Sequence, residues 1–431
     1  MKRSYSKLVH GLMAVGAALV VALVPAAAFA AKEYTVTLAT DVEITYLVNT
    51  TDKIARVKRV EEVGPSSPER ITIPEKVKYK ENGKTYTLTV IGIGERALAS
   101  TWFTKVKLPD TIEKIGKEAF DHASVEICDL PANLERIEDG AFKNSWLKGT
   151  LNIPAGCTYI GETAFTGTAI TSINFIDNGQ STPLVIGEYA FSVSALQSVS
   201  LNRVQTLGEG LFSMCDELRS INISGSATAI PRTFCYGCKS LTQVGIPVVE
   251  SIGEFAFMDC ESLREFPFMP GLRHIGDSAF ESSGLTSARL KAGCETLGDE
   301  AFFNCQGLQA VEFPASMLRI GDAAFQHCDK ITYVSCDAVT PPAMTDAAFE
   351  DYRQCTIWVP QASVEAYEWA KGWRCFDYFH LKGSGVGTLP AGTESTGLDT
   401  IQRYDLQGRP IPAGPKPQGL YIEVGKKGVR L

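Results

Sequence analysis

The residues able to do chemistry are few and oddly regular. Cys215, Cys238, Cys260, Cys305 and Cys328 each stand three residues before a Leu or Ile. Equal placement marks one position repeated, and a small buried thiol fits such a position. Stacked equivalents point the same way, which is poor geometry for disulfides. Cys235-Tyr-Gly-Cys238 has the spacing of a redox or zinc motif, yet Cys238 already belongs to the ladder and no second such pair exists. Cys355 and Cys375 either bridge or remain thiols; export permits a bridge without requiring one. Beyond residue 30 the histidines are His122, His274, His327 and His380, none in a metal-binding spacing. Cys305 and His327 form the one Cys–His couple that neighbouring segments could bring together. No nucleophile elbow or phosphate loop occurs. No catalytic residue is therefore assigned.

The elements that must position these residues are set by a repeat. Ile-Gly-x-x-Ala-Phe recurs, ending at Phe120, Phe165, Phe191, Phe257, Phe280 and Phe325. Looser copies end at Leu98, Phe142, Phe212, Phe234, Phe302 and Phe349. The twelve anchors are 21 to 26 residues apart, so each unit is one turn of a solenoid that buries its apolar face only by stacking on its neighbours. In one unit, Leu263 to Phe268 alternates apolar and polar residues and reads as a short strand. Arg273-His-Ile275 is a second extended piece, and Gly276 permits a sharp bend. Ser278-Ala-Phe280 opens a brief helical turn with Ala279 and Phe280 inward.

The repeat absorbs two further motifs. Gly92-Ile-Gly94-Glu-Arg-Ala97 matches a dinucleotide fingerprint, which needs a βαβ setting to act; Gly94 is the bend glycine instead. Ten of twelve units carry an acid three residues before the anchor: Glu95, Asp139, Glu162, Glu188, Glu209, Glu254, Asp277, Asp299, Asp322 and Asp346. Either these carboxylates cap the helical turns or they form a calcium ladder, which needs six to eight oxygens. One carboxylate per turn favours capping. No metal or cofactor is expected.

The chain ends have other work. Lys2, Arg3 and Lys7, the apolar run Gly11 to Val24, Pro25 and Ala28-Phe29-Ala30 read as a signal peptide over residues 1–30. Its removal takes three cations and moves the net charge from −8 to −11. No later apolar run is long enough to span a membrane, and the acidity disfavours nucleic acid as a partner. Residues 31–85 form an N-terminal β cap, 86–350 the array, 351–381 a C-terminal cap, 382–397 a Gly/Ser/Thr/Pro-rich linker, and 398–431 a short β tail.

The unit Leu-x-x-x-x-x-Pro…Ile-Gly-x-x-Ala-Phe-x-x-Cys-x-x-Leu resembles the BspA-like leucine-rich repeats of bacterial, Bacteroidetes-type exported proteins. The resemblance covers residues 86 to 350. The segments before and after it resemble the opening strands and closing turn of such arrays, with a short helix at Ala362 to Trp369. Tyr404 to Arg409 and Gly419 to Lys427 resemble the C-terminal sorting segments of secreted Bacteroidetes proteins. The resemblance implies a β-rich leucine-rich-repeat solenoid of about twelve 22–23-residue turns. It also implies a non-catalytic role at the cell surface, binding host or neighbouring-cell proteins. A glycan- or peptide-capturing module is the alternative, and a secreted hydrolase the enzyme alternative. Phe175-Ile-Asp-Asn-Gly-Gln-Ser-Thr-Pro183 fills the 26-residue step. Insertions in solenoids map to loops that often bind, so Phe175, Asp177, Asn178, Gln180 and Ser181 are candidate contacts. Trp102, Phe103 and Trp146 are candidate anchors.

Overall fold

In the computed structural model the chain is described at residues 32–38, 41–63, 68–176, 183–202, 204–224, 227–349, 355–376 and 378–382, with short tail strands at 402–404, 410–411, 422–425 and 428–430. The signal segment and the linker 383–397 lie outside the described residues.

Alternating apolar residues fold the N-terminal segment into antiparallel strands Lys32–Leu38, Val42–Asn49 and Ile54–Glu62. Val42, Ile44 and Tyr46 are buried. Lys76–Glu81 and Lys84–Ile93 form a hairpin whose turn residues, Asn82 and Gly83, have φ of 47° and 74°. That left-handed pair matches strand twist, and Asn-Gly tolerates it best. The far end of Lys84–Ile93 pairs with Lys114–Ile115, so these strands pass directly into the array and pair the edge of its first short strand.

The array is a β-solenoid of about eleven turns between its twelve anchors. One side stacks two- and three-residue strands, such as Arg136–Ile137 on Tyr159–Ile160. The other stacks longer strands: Lys148–Ile153, Ala169–Phe175, Ser198–Leu201, Ser220–Ile223 and Gln243–Gly245 form one parallel sheet. Register is one unit per strand, as in Val199 opposite Ile221. Between the two sides runs a ladder of buried phenylalanines. Phe120, Phe142, Phe165 and Phe191 stack at 4.7, 5.2 and 5.3 Å with planes within 5°.

The anchor segment is a double turn, where a brief helix was expected. In the unit at Ile275, Ala279, Glu281 and Ser283 donate back to Gly276, Ser278 and Phe280. Ser278, Phe280 and Ser282 donate instead to Asp299, Ala301 and Phe303 of the next unit, at 2.8–2.9 Å. A helix would keep every N–H within its own turn; here alternate peptides must point along the stack. Two left-handed residues per unit achieve this, two before and two after the anchor: Ser278 at φ 50° and Ser282 at 55°. Gly276 does not need its glycine for a bend. A Cβ there would sit 2.7 Å from the backbone N of Glu254, so close approach of stacked turns excludes any side chain.

Two further expectations shift. Leu263–Phe268 does not form a strand. Pro267 has no N–H to give a ladder, and Phe268 folds back to Phe266 O at 2.9 Å. The long sheet therefore ends at Gln243–Gly245 and restarts at Ser287–Arg289. The looser copy assigned to Phe234 is off by one: Cys235 donates to Ala256 O as Phe257 does to Ala279 O, so Cys235 holds the anchor rung. Phe234 enters from the alanine rung and meets Phe212 and Phe257 edge-on, at 80° and 73°.

The closing turn forms as expected, with a 3-10 turn at Gln361–Ser363 leading into the helix Val364–Trp369. Tyr367 and Trp373 are fully buried. Their polar ends reach Ala338 O and Pro342 O, both at 2.8 Å, as buried Tyr and Trp require.

Candidate binding surface

The ladder cysteines are structural. Cys215, Cys238, Cys305 and Cys328 are buried and donate to the carbonyls of Phe191, Phe212, Phe280 and Phe302 at 3.0–3.2 Å. Cys260 does the same to Cys235 O at 3.3 Å. Cys235-Tyr-Gly-Cys238 is thus an anchor rung followed by the ordinary ladder rung. Burial pushes the Cys128 and Cys294 thiols up to about 12, and burial, then Cys238, does so for Cys215. Thiols held protonated in this way are inert. Cys355 is buried and Cys375 half-buried; burial, with Cys375 nearby, pushes the Cys355 thiol up to about 12.

The Cys305–His327 couple is not assembled. Cys305 faces inward, with its sulfur near Ser283 Oγ at 3.3 Å. His327 is exposed on a left-handed residue at φ 60° and packs edge-on against Phe303 at 5.0 Å. Among the described residues no cluster of three or more His, Cys, Asp or Glu side chains could hold a metal ion.

Four of the ten acids cap, and they do so across units, while Asp322 accepts from the Thr345 hydroxyl. Asp139, Asp277 and Asp299 accept from the backbone N–H of Glu162, Asp299 and Asp322 at 2.8–3.0 Å. Asp346 accepts from Gly372 at 3.0 Å and also binds Arg374. The N–H groups of Glu162, Asp299 and Asp322 begin the double turn and lack a backbone partner, so the aspartate supplies one, whereas Gly372 precedes the closing 3-10 turn. The glutamate rungs, one methylene longer, do not.

Three kinds of exposed surface remain. The double-turn side is constrained by its inter-unit hydrogen bonds. The two-residue strands carry ion-pair ladders, including Lys114–Glu138 at 2.6 Å and Arg273–Glu295 at 2.9 Å. Burial would raise Glu138, but hydrogen bonds from Lys114 and Arg136 outweigh it and hold its carboxyl below the usual range. The long sheet differs. Its outward residues from Thr150 and Asn152, through Ser172, Asn174, Ser198, Ser200, Ser220 and Asn222, to Gln243 and Gly245 carry no charge. Neighbouring rungs bond one another, Thr150 to Ser172 at 2.8 Å and Asn174 to Asn152 at 3.0 Å. Where Pro267 interrupts the sheet, an open depression of about 640 Å³ is lined by Glu265, Thr286, Arg289, Lys291 and Gln309.

The expected binding residues separate. Phe175 ends the strand Ala169–Phe175 and is buried, so its ring packs in the core and is not displayed for a partner. Asp177, Asn178, Gln180 and Ser181 lie outside the described residues. Phe103 is fully buried, whereas Trp102 and Trp146 are 68% and 56% exposed. Alternation within TLNI, SINF, SVSL and SINI already carried the uncharged face in the sequence.

The sequence matches the family described as BspA type leucine rich repeat region, in six copies, over residues 71–184, 150–248 and 228–356. Among solved structures it is similar to the pneumococcal vaccine antigen PcpA, with 17% identity, 81% of this chain and 99% of that chain covered, and a TM-score of 0.48. A leucine rich cell surface protein from Faecalibacterium prausnitzii A2-165 shares 19% identity over 81% of this chain and 95% of that chain, with a TM-score of 0.39. A leucine-rich repeat protein from Bacteroides ovatus ATCC 8483 shares 20% identity over 79% and 98%, with a TM-score of 0.30. No curated protein matches the chain. The repeat matches span about two thirds of the sequence, and the chain belongs to the BspA type leucine-rich repeat family.

Proposed function

We propose that this chain is an exported, non-enzymatic binding array at the bacterial cell surface, holding host or neighbouring-cell proteins on the outward face of its long sheet. The uncharged strip from Thr150 to Gly245 carries this reading. It is about 20 Å across at ~4.8 Å per strand, in a chain where 21% of residues are charged. The centres of protein interfaces are depleted of charge because desolvating an unpaired ion costs more than contact returns. Lys105 and Lys107 on one side and Arg289 on the other supply a charged rim. Among the described residues no helix is long and apolar enough to cross a membrane; the signal segment and tail are read as routing the chain outward.

Pull-down from extracellular matrix and serum with the full chain immobilised tests this. Saturable capture of one or a few proteins is the expected result. Capture that does not saturate, or that matches a blank surface, contradicts it.

A further inference from the structure

Trp102, Ser124 and Trp146 occupy one position in three successive units. Ser124 N donates to Thr101 O at 2.8 Å, and Trp146 N to the equivalent Ala123 O at 3.1 Å. The Phe120–Phe142 spacing of 4.7 Å gives the local rise per unit, so the two tryptophan positions, two units apart, lie about 10 Å apart at the ordinary strand spacing. Small residues flank them. Ser124 is buried between the two indoles, and Ala169 opens the unit beyond. Indoles as exposed as Trp102 and Trp146 have no part in the core, which the inward anchor and alanine rungs fill without them.

Hydrogen-bonding groups line both sides of this row. Two residues upstream, Asn144 Nδ2 meets His122 Nε2 at 3.3 Å, and His122 Nδ1 meets Asp121 Oδ1 at 2.9 Å. Two residues downstream, Lys148 Nζ pairs with Glu126 at 2.7 Å. Donors and acceptors therefore alternate beside two flat apolar faces.

We propose that Trp102 and Trp146 form a carbohydrate-binding site for an extended, neutral, β-linked glycan. The axial C–H bonds of a β-linked pyranose carry partial positive charge and stack on the negative face of an aromatic ring. Two units of the array match the length of two sugars in such a chain, so each indole meets an equivalent ring. Hydroxyls donate and accept, which His122–Asn144 on one side and Glu126–Lys148 on the other can satisfy. A polyproline peptide would also stack on paired indoles, but it offers only carbonyl acceptors and would leave the acidic partners unused. This site lies outside the uncharged sheet strip, and its failure would leave the protein-binding reading standing.

The test titrates the full chain, followed by tryptophan fluorescence and calorimetry, with cellohexaose, xylohexaose and chitohexaose. Maltohexaose and a decaproline peptide serve as comparators. Saturable binding of at least one β-linked hexasaccharide is expected, in preference to both comparators. Trp102→Ala and Trp146→Ala should each weaken it about tenfold or more, with circular dichroism unchanged. Trp369→Ala, which removes an indole 83% exposed at the far end, should leave it intact. Absence of binding to all three β-linked probes overturns the proposal. So does undiminished binding in the Trp102→Ala/Trp146→Ala double variant, or tighter binding of decaproline.

Discussion

At the scale of single residues, the array holds left-handed backbone at two places in nearly every turn, and non-glycine side chains fill both places in seven of them. Asn144, Asn304, His122 and Asp259 suit that conformation because a short polar side chain tolerates it; Val193, at φ 54°, does not. Val193 is mostly exposed, and its N–H bond to Ser213 O is independent of the side chain. Val193→Asn should therefore stabilise the fold by about 1 kcal/mol, read as a higher midpoint in chemical denaturation. A lower midpoint would count against the double-turn geometry. Glu138 gives a second residue-scale outcome. Its folded carboxyl titrates below the ordinary value of 4.5 because Lys114 and Arg136 outweigh burial. Its contribution is then fully present above pH 4.5 and is lost as pH falls through the lower folded value. Melting curves across pH should show Glu138→Gln less stable than wild type at neutral pH, with the gap closing on acidification. A gap independent of pH would contradict the assignment.

At the scale of elements, stacking decides what local pattern leaves open. The Ile-Gly-x-x-Ala-Phe beat made the solenoid legible, and its inward Ala and Phe residues are buried as read. The helix expected after Ile275 was wrong because the segment's alternate N–H groups are claimed by the next unit, which no single unit displays. The signal was nonetheless present: Gly167, Gly237, Asn144 and Asn304 sit two residues after their anchors, where left-handed backbone recurs. Pro267 likewise announced a broken strand, outweighed by the alternation of Leu263 to Phe268. The glycine after Ile275 was identified, but for a bend, not for contact between turns. Gly276→Ala should consequently destabilise by about 1–3 kcal/mol, the range of overpacked sites. Gly156→Ala, whose Cβ would lie 3.8 Å from Leu134 O, should stay within about 0.5 kcal/mol of wild type. Equal effects in denaturant unfolding would remove the case for backbone contact at Gly276.

At the scale of the whole molecule, the stacked units make the array quasi-one-dimensional, and the proposed function rests on what it displays. The sequence carried the strand alternation that leaves Ser, Thr and Asn outward from Thr150 to Gly245. It could not tell where ion pairs cover the array, since Lys114–Glu138 and Arg273–Glu295 meet only across units. The insertion at Phe175 drew attention to a loop, while the regular strands beside it hold the charge-free face. If that face binds proteins, placing charge on it should act on binding without touching the fold. The direct measurement is a surface-resonance titration of the captured partner against wild type, a Ser200→Arg/Asn222→Arg variant on the sheet, and an Arg273→Ala/Glu295→Ala variant on the opposite ladder. Affinity should fall at least about tenfold for the sheet variant alone, with all three proteins equally folded. Unchanged affinity in the sheet variant, or an equal loss in the ladder variant, would contradict it.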